Sequence, residues 1–269
     1  MRATREETMA WAVSRALRDD DLLFVGVGTA GRAYTLAVGI PLVAARLAQR
    51  HHAPGVDVYL GNLLSPDLSY APRELTQDAI TRWPGAYAPA DIGNKVDMLV
   101  RGDFTVSFES AAQVDRRGNL NITAIGGEPP AVRLVGSLAQ PEHLAFVQRP
   151  VVVVDLSPRV FVERVDRVTS LGHGDHPGHR RELGYRTGGP TLVVTDRCVL
   201  DFDEDGDMRL VSVHPGVGVE DVCERMGFRP VVGADVPTTP EPPEAAVRMV
   251  REEIDPTGAL LGGVRTEAS

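Results

Sequence analysis

Lysine occurs once in this chain of 269 residues, at Lys95, so nearly all of its positive charge is arginine. Cysteine is almost as scarce. Cys198 and Cys223 are too few and too far apart in sequence to suggest a disulfide framework or a metal site, and a reducing compartment is the expectation. Aromatic residues make up only 5% of the chain, and no run approaches the roughly 20 apolar residues that cross a bilayer. The opening Met1-Arg-Ala-Thr-Arg-Glu-Glu7 lacks the apolar stretch of a signal peptide, so a cytoplasmic protein without a membrane segment is expected. A formal charge of -9 argues against a nucleic-acid partner, because backbone phosphates are held by clustered Lys and Arg.

What is present is enough apolar material, 43% of residues, to bury a large core. No internal repeat and no long linker interrupts it. One domain over residues 1–258 is expected, followed by a flexible tail at 259–269. Thr4 with Glu7 makes a capping box that opens a helix running to Leu17. Leu22–Val25 reads as a short buried strand leading into Gly26-Val-Gly-Thr-Ala-Gly31, which fits the glycine pattern of a dinucleotide loop. Two features oppose that reading. Gly39 and Pro41 place the next helix start at Pro41 rather than at the third glycine, and no acid ends a strand at the expected distance.

Further strands are expected at 56–60, 151–155, 160–165, 192–195, 198–202 and 209–213, and helices at 42–50, 74–81, 91–100, 219–226 and 244–254. Their alternation predicts an α/β fold with a mostly parallel central sheet and helices on both faces.

The densest polar chemistry lies between Phe104 and Gly127, where an apolar strand runs into a second strand through a polar hairpin turned by Arg117-Gly118-Asn119. Glu109, Gln113, Asp115, Asn119 and Asn121 occur there among apolar or small residues. Buried amides and carboxylates are costly unless hydrogen-bonded, so they form either a structural network or a site. His173, Asp175, His176 and His179 have a spacing that invites a zinc reading, but their Gly- and Pro-rich loop has no rigid element to aim them. A solvated loop is the expectation. The acidic run Asp203-Glu-Asp-Gly-Asp207 lacks the spaced ligands of a calcium loop and reads as a hairpin turn.

Gln113-Val-Asp-x-x-Gly-Asn-Leu-Asn121 resembles the signature of the β-type subunit of family I coenzyme A transferases, the glutaconate CoA-transferase group. Supporting matches are Gly39-Ile-Pro41, His52-Ala-Pro54, Thr169-Ser-Leu-Gly172, Gly188-Gly-Pro190 and His214-Pro-Gly216. The resemblance implies a CoA-transferase-like open sheet, a CoA thioester as substrate, no bound cofactor, no metal, and an α-type CoA-transferase subunit as partner. It also implies substrate or CoA binding by Gln113, Asn119, Asn121, Gly136 and Ser137.

Two departures stand at central positions. The family's Glu, which attacks the thioester and carries CoA covalently, follows a strand within Glu-Ser-Gly or Glu-Asn-Gly. Here the run is Tyr59-Leu-Gly-Asn62, with Leu60 in that place. The family's glycine-rich oxyanion loop keeps Gly136-Ser137 but continues with Leu138, Ala139 and Gln140.

The site is therefore degenerate. A partner chain can supply the working carboxylate, as in the resembling ring-cleaving hydrolases that act on CoA-linked steroid fragments. Alternatively the chain is a non-catalytic subunit that completes its partner's site. Glu109 is a local candidate for general base, standing where the family usually has an apolar residue at the end of a central strand. The competing expectation pairs Glu109 with a nearby Arg and gives it a structural role.

Overall fold

The structure, a computed structural model, describes residues 2–28, 31–88 and 91–262. The chain divides into two compact units, Met1–Phe108 with Pro240–Ser269, and Glu109–Thr239. No composition shift marks the division at Phe108, because it falls inside a strand.

In the first unit, α1 (Arg5–Ala16) starts as expected. Glu7 N–H donates to Thr4 Oγ1 at 3.2 Å, and Thr4 N–H donates back to Glu7 Oε2 at 2.8 Å. After β1 (Leu22–Val25) the helix begins at Arg32 and not at Pro41. It runs as α2 (Arg32–Tyr34), one π-helical turn (Thr35–Gly39) and α3 (Ile40–His51). In the π turn Ile40 N–H bonds the Thr35 carbonyl, and this wider turn shifts the carbonyl that a proline ring at position 41 would otherwise meet. Gly39 has a separate reason to be glycine, since a Cβ there would lie 1.8 Å from the carbonyl oxygen of Leu260.

The glycine run is therefore followed directly by a helix, as a dinucleotide loop requires. β2 (Asp57–Leu60), however, ends in Tyr59-Leu60 with no acid to bind a ribose. β3 (Leu63–Leu64), α4 (Gln77–Thr81), α5 (Ile92–Arg101) and β4 (Val106–Glu109) follow. β1 lies between β2 and β4, parallel to both, and β3 adds antiparallel to β2. Phe24, Tyr59 and Phe104 meet at ring separations of 5.3–5.7 Å and fill the core.

The second unit opens with two small hairpins, β5 (Gln113–Val114) with β6 (Leu120–Asn121) and β7 (Ala124–Ile125) with β8 (Val132–Arg133). Then come α6 (Gln140–Phe146), β9 (Arg149–Val153), α7 (His179–Glu182), β10 (Leu192–Val194), β11 (Cys198–Phe202), β12 (Met208–Val213), α8 (Val219–Cys223) and β13 (Val231–Val232). Its strands lie in the order β9-β10-β11-β12-β13. The α/β class is as expected, but in this unit only β9/β10 and β12/β13 are parallel, so the strand arrangement is mixed. The cause is local: short turns at 195–197 and 203–207 return the chain directly, which forces antiparallel pairing. The acidic turn is a hairpin turn as expected, with Asp203 Oδ1 accepting from the Asp205 and Asp207 amides.

Residues 160–165 do not form a strand. Phe161 makes a single bridge with Val114, and its own carbonyl accepts from Gly227 N–H. Its complete burial explains the apolar pattern that suggests a strand there.

The chain then returns to the first unit. α9 (Glu244–Met249) continues through a π turn (Val250–Ile254), where Arg251 grips the buried Glu7 carboxylate with two bonds of 2.7 Å. Residues 259–262 are not a frayed tail. Asp255, fully buried, accepts the Leu260 and Leu261 amides at 3.0 Å each, and Leu260 is buried against Gly39. Residues 263–269 lie outside the described residues. No helix among the described residues is long and apolar enough to cross a membrane.

Candidate active site

β4 ends by delivering Glu109 into a buried position, 4% exposed. Its Oε1 lies 3.0 Å from His143 Nδ1, so its partner is an imidazole and not the arginine anticipated from the sequence. His143 sits on α6 one turn after Gln140, which puts both side chains on the same helix face. Gln140 Nε2 donates to the Ser110 carbonyl at 3.0 Å, and its Oε1 accepts from Ser170 Oγ at 3.1 Å. α6 is thereby pinned to residues 109–110 at two points.

The polar hairpin folds onto itself. Asn121 Nδ2 donates to Gln113 Oε1 and to the Ala124 carbonyl, while its Oδ1 accepts the Thr123 and Ala124 amides. Gln113 Nε2 reaches Asp166 Oδ2 at 3.2 Å, and Gln113 Oε1 also accepts the Asp166 amide. Asn119 donates to Asp115 and accepts from Gly172 N–H. Each side-chain nitrogen and oxygen of Gln113, Asn119 and Asn121 therefore has a partner within the chain, and all three residues are buried. Burial pushes the Asp115 carboxyl up, against the opposing pull of its bonds from Asn119 and Arg117.

The loop at 136–140 takes a glycine-like conformation at one non-glycine position, Leu138. Gly136 donates its N–H to the Ile122 carbonyl at 2.8 Å, so that amide is not free to polarise a ligand carbonyl. A Cβ at Gly136 would sit 2.4 Å from the same oxygen. Ser137 is exposed. Leu138 adopts φ 52° with its side chain 69% exposed, a left-handed conformation that favours glycine. In the first unit Leu60 is wholly buried at the end of β2, and Gly61 follows with φ 64°.

The histidine loop disperses. His173 Nε2 lies 2.9 Å from the Pro190 carbonyl with its ring 4.3 Å from that of Phe202, and His176 stacks on His179. Among the described residues no three His, Cys, Asp or Glu side chains converge to hold a metal ion. Arg180, on α7 at the end of this stretch, is the unforeseen member. Only 5% exposed, it directs Nε at the Thr187 carbonyl, Nη1 at the Leu171 and Gly172 carbonyls, and Nη2 at the Leu144 carbonyl and Thr187 Oγ1. Burial lowers its pKa to about 10.

His214 is a second buried hub. Its Nδ1 lies 3.0 Å from Thr239 Oγ1, which also bonds Ser212 Oγ, and its Nε2 lies 2.8 Å from the Thr195 carbonyl. Burial holds both His173 and His214 below their ordinary value of 6.5. As pH falls through 6.5 the unfolded chain therefore binds protons that the folded chain refuses. Stability is present above that value and is lost below it. Thermal unfolding followed from pH 8 to 5 should show the melting temperature falling below about pH 6.5, with a shallower fall in His214→Gln. Equal slopes in the two proteins would remove His214 from this account.

The sequence pattern of the family described as Coenzyme A transferase matches residues 6–225. The β subunit of glutaconate CoA-transferase from Acidaminococcus fermentans is 33% identical over 246 residues, covering 88% of this chain and 91% of that one. The β subunit of 3-oxoadipate CoA-transferase from Pseudomonas knackmussii is 30% identical over 259 residues, 95% of each. The cholesterol ring-cleaving hydrolase IpdB subunit of Mycobacterium tuberculosis is 30% identical over 260 residues, covering 94% of this chain and 96% of that one. The crystal structure of the Acidaminococcus glutaconate enzyme superposes with a TM-score of 0.81 at 28% identity, over 96% of this chain and 97% of that one. On sequence and on fold, this chain belongs to the coenzyme A transferase family.

Proposed function

We propose that this chain is the β-type subunit of a two-chain enzyme acting on acyl-CoA thioesters, and that it works without a covalent carboxylate of its own. The observation that carries this reading is Leu60, wholly buried at the end of β2, in the position that the resemblance assigns to the nucleophilic Glu. An α-type subunit then brings the working carboxylate. Both kinds of relative support a paired assembly, since two are β subunits of transferases and one is a subunit of a hydrolase. The ionisable group offered by this chain is Glu109, oriented by His143 as an acid–base pair. Proton abstraction or hydrolysis of a CoA-linked substrate suits such a pair as well as transfer does. A cytoplasmic location fits a CoA-dependent reaction.

A second reading has its own observation. Glu109 and His143 are both buried, which suits a subunit that only completes its partner's site. Gln113, Asn119 and Asn121 act in either case through the shape of the hairpin, with Gly136 and Ser137 shaping the loop beside α6. The first test is to co-express this chain with an α-type subunit, incubate the complex with acyl-CoA and weigh both chains intact. Turnover without a CoA adduct on this chain is the expected result. An adduct here would place a nucleophile on a residue other than Leu60 and overturn the reading.

A further inference from the structure

We propose that Lys95 receives an oxyanion of the acyl-CoA substrate, a phosphate or a carboxylate, above the C-terminal end of β1. The inference rests on the acyl-CoA reading above and names a contact that this chain makes with the substrate. Its starting point is compositional. Of 28 basic residues Lys95 is the only lysine, and it stands half-buried.

Geometry gives the position meaning. Lys95 lies on α5, whose Ile92, Val96 and Val100 face outward at one-turn spacing, 69%, 47% and 46% exposed. Lys95 is turned instead toward the sheet, with Nζ 5.9 Å from the centre of the Phe24 ring. Phe24 is the penultimate residue of β1 and is paired with Tyr59 of β2, so the ammonium hovers at the strand ends where open α/β sheets hold their ligands. The aromatic face contributes a weak cation–π attraction, but among the described residues no carboxylate balances the charge. Ser107, in register beside Phe24 on β4, is wholly buried and its hydroxyl has no hydrogen-bond partner among the described residues.

The charge also stands close to the positive N-terminal end of α5, where a helix favours anions over cations. Burial lowers the Lys95 pKa accordingly. An uncompensated, half-buried cation of this kind gains most from an anion that arrives with the substrate, because partial desolvation strengthens the pair.

The single lysine makes the test direct. Reductive methylation with formaldehyde and cyanoborohydride, read at the peptide containing Lys95, reports one side chain in the intact two-chain complex. CoA is expected to slow methylation about tenfold, the effect of one charge-assisted contact. Protection by CoA and not by dephospho-CoA assigns the 3′-phosphate. Protection only by an acyl-pantetheine bearing a distal carboxylate assigns the acyl group. In turnover, Lys95→Met should raise KM by a similar factor with little change in kcat, and Lys95→Arg should restore part of it.

Methylation at one rate in every arm overturns the proposal, whether or not the complex turns over acyl-CoA. So does full protection in the two-chain complex with no ligand added, which assigns the ammonium to a carboxylate of the partner. Absence of turnover together with protection by CoA counts against the enzymatic reading alone.

Discussion

Replacing Glu109 by Gln in the assembled complex is expected to lower kcat by about 10²- to 10⁴-fold, the usual contribution of a positioned acid–base group. Gln preserves the size of the side chain and can still hydrogen-bond His143 across 3.0 Å, so packing at the end of β4 is retained while the proton-accepting charge is removed. His143→Gln should reduce kcat by a smaller factor, because the imidazole only orients the carboxylate. Melting temperature must be followed beside the rate, since both groups are buried. A Glu109→Gln complex that keeps its rate within about threefold while melting lower would establish the subunit as scaffold only.

Arg180→Met is expected to be the most damaging single change to stability, costing about 3–5 kcal/mol in the 109–239 unit, or roughly 10 °C in melting temperature. Two effects compete. Burying a guanidinium beside carbonyls alone is costly, and its removal returns that cost. Against this, the carbonyls of Leu171, Gly172 and Thr187 would lose the guanidinium as donor, and the Leu144 carbonyl would keep only the Thr187 hydroxyl, in a region too closed for water to replace every bond. The second effect wins because the acceptors come from three separate segments, at 144, 171–172 and 187, which the one guanidinium ties together. Arg180→Lys offers three donors for five and should recover part of the loss. Calorimetry on the complex decides it: a shift of under 2 °C for Arg180→Met would show that the loop segments hold one another without the guanidinium.

Legibility in the sequence follows the range of the forces involved. The capping box at Thr4 and Glu7 and the short strand Leu22–Val25 are settled by neighbours within a few residues, and both stand as expected. The helix start at Arg32 is not legible. Gly39 looks like a break, yet it is glycine because Leu260 packs on it from more than 200 positions away. The 160–165 segment shows the reverse error, for apolar residues can be buried by single contacts without joining a ladder.

The hairpin residues 113–121 stand out in the sequence as a dense polar group, but whether they are network or site depends on Asp166 and Gly172, some 50 residues further on. His143 has no signal of its own. An unusual acid at Glu109 does imply a compensating partner, but composition favours arginine, and only the fold places α6 against the end of β4.

The first unit is closed by the last part of the chain: Glu7 waits for Arg251, and Gly39 for Leu260. During synthesis its first 108 residues leave the ribosome early and must stand without these contacts, while residues 109–239 emerge as one uninterrupted piece. The later-made unit is thus the one able to mature first, and the earlier-made one stays open to chaperones until residues 240–262 have followed it out.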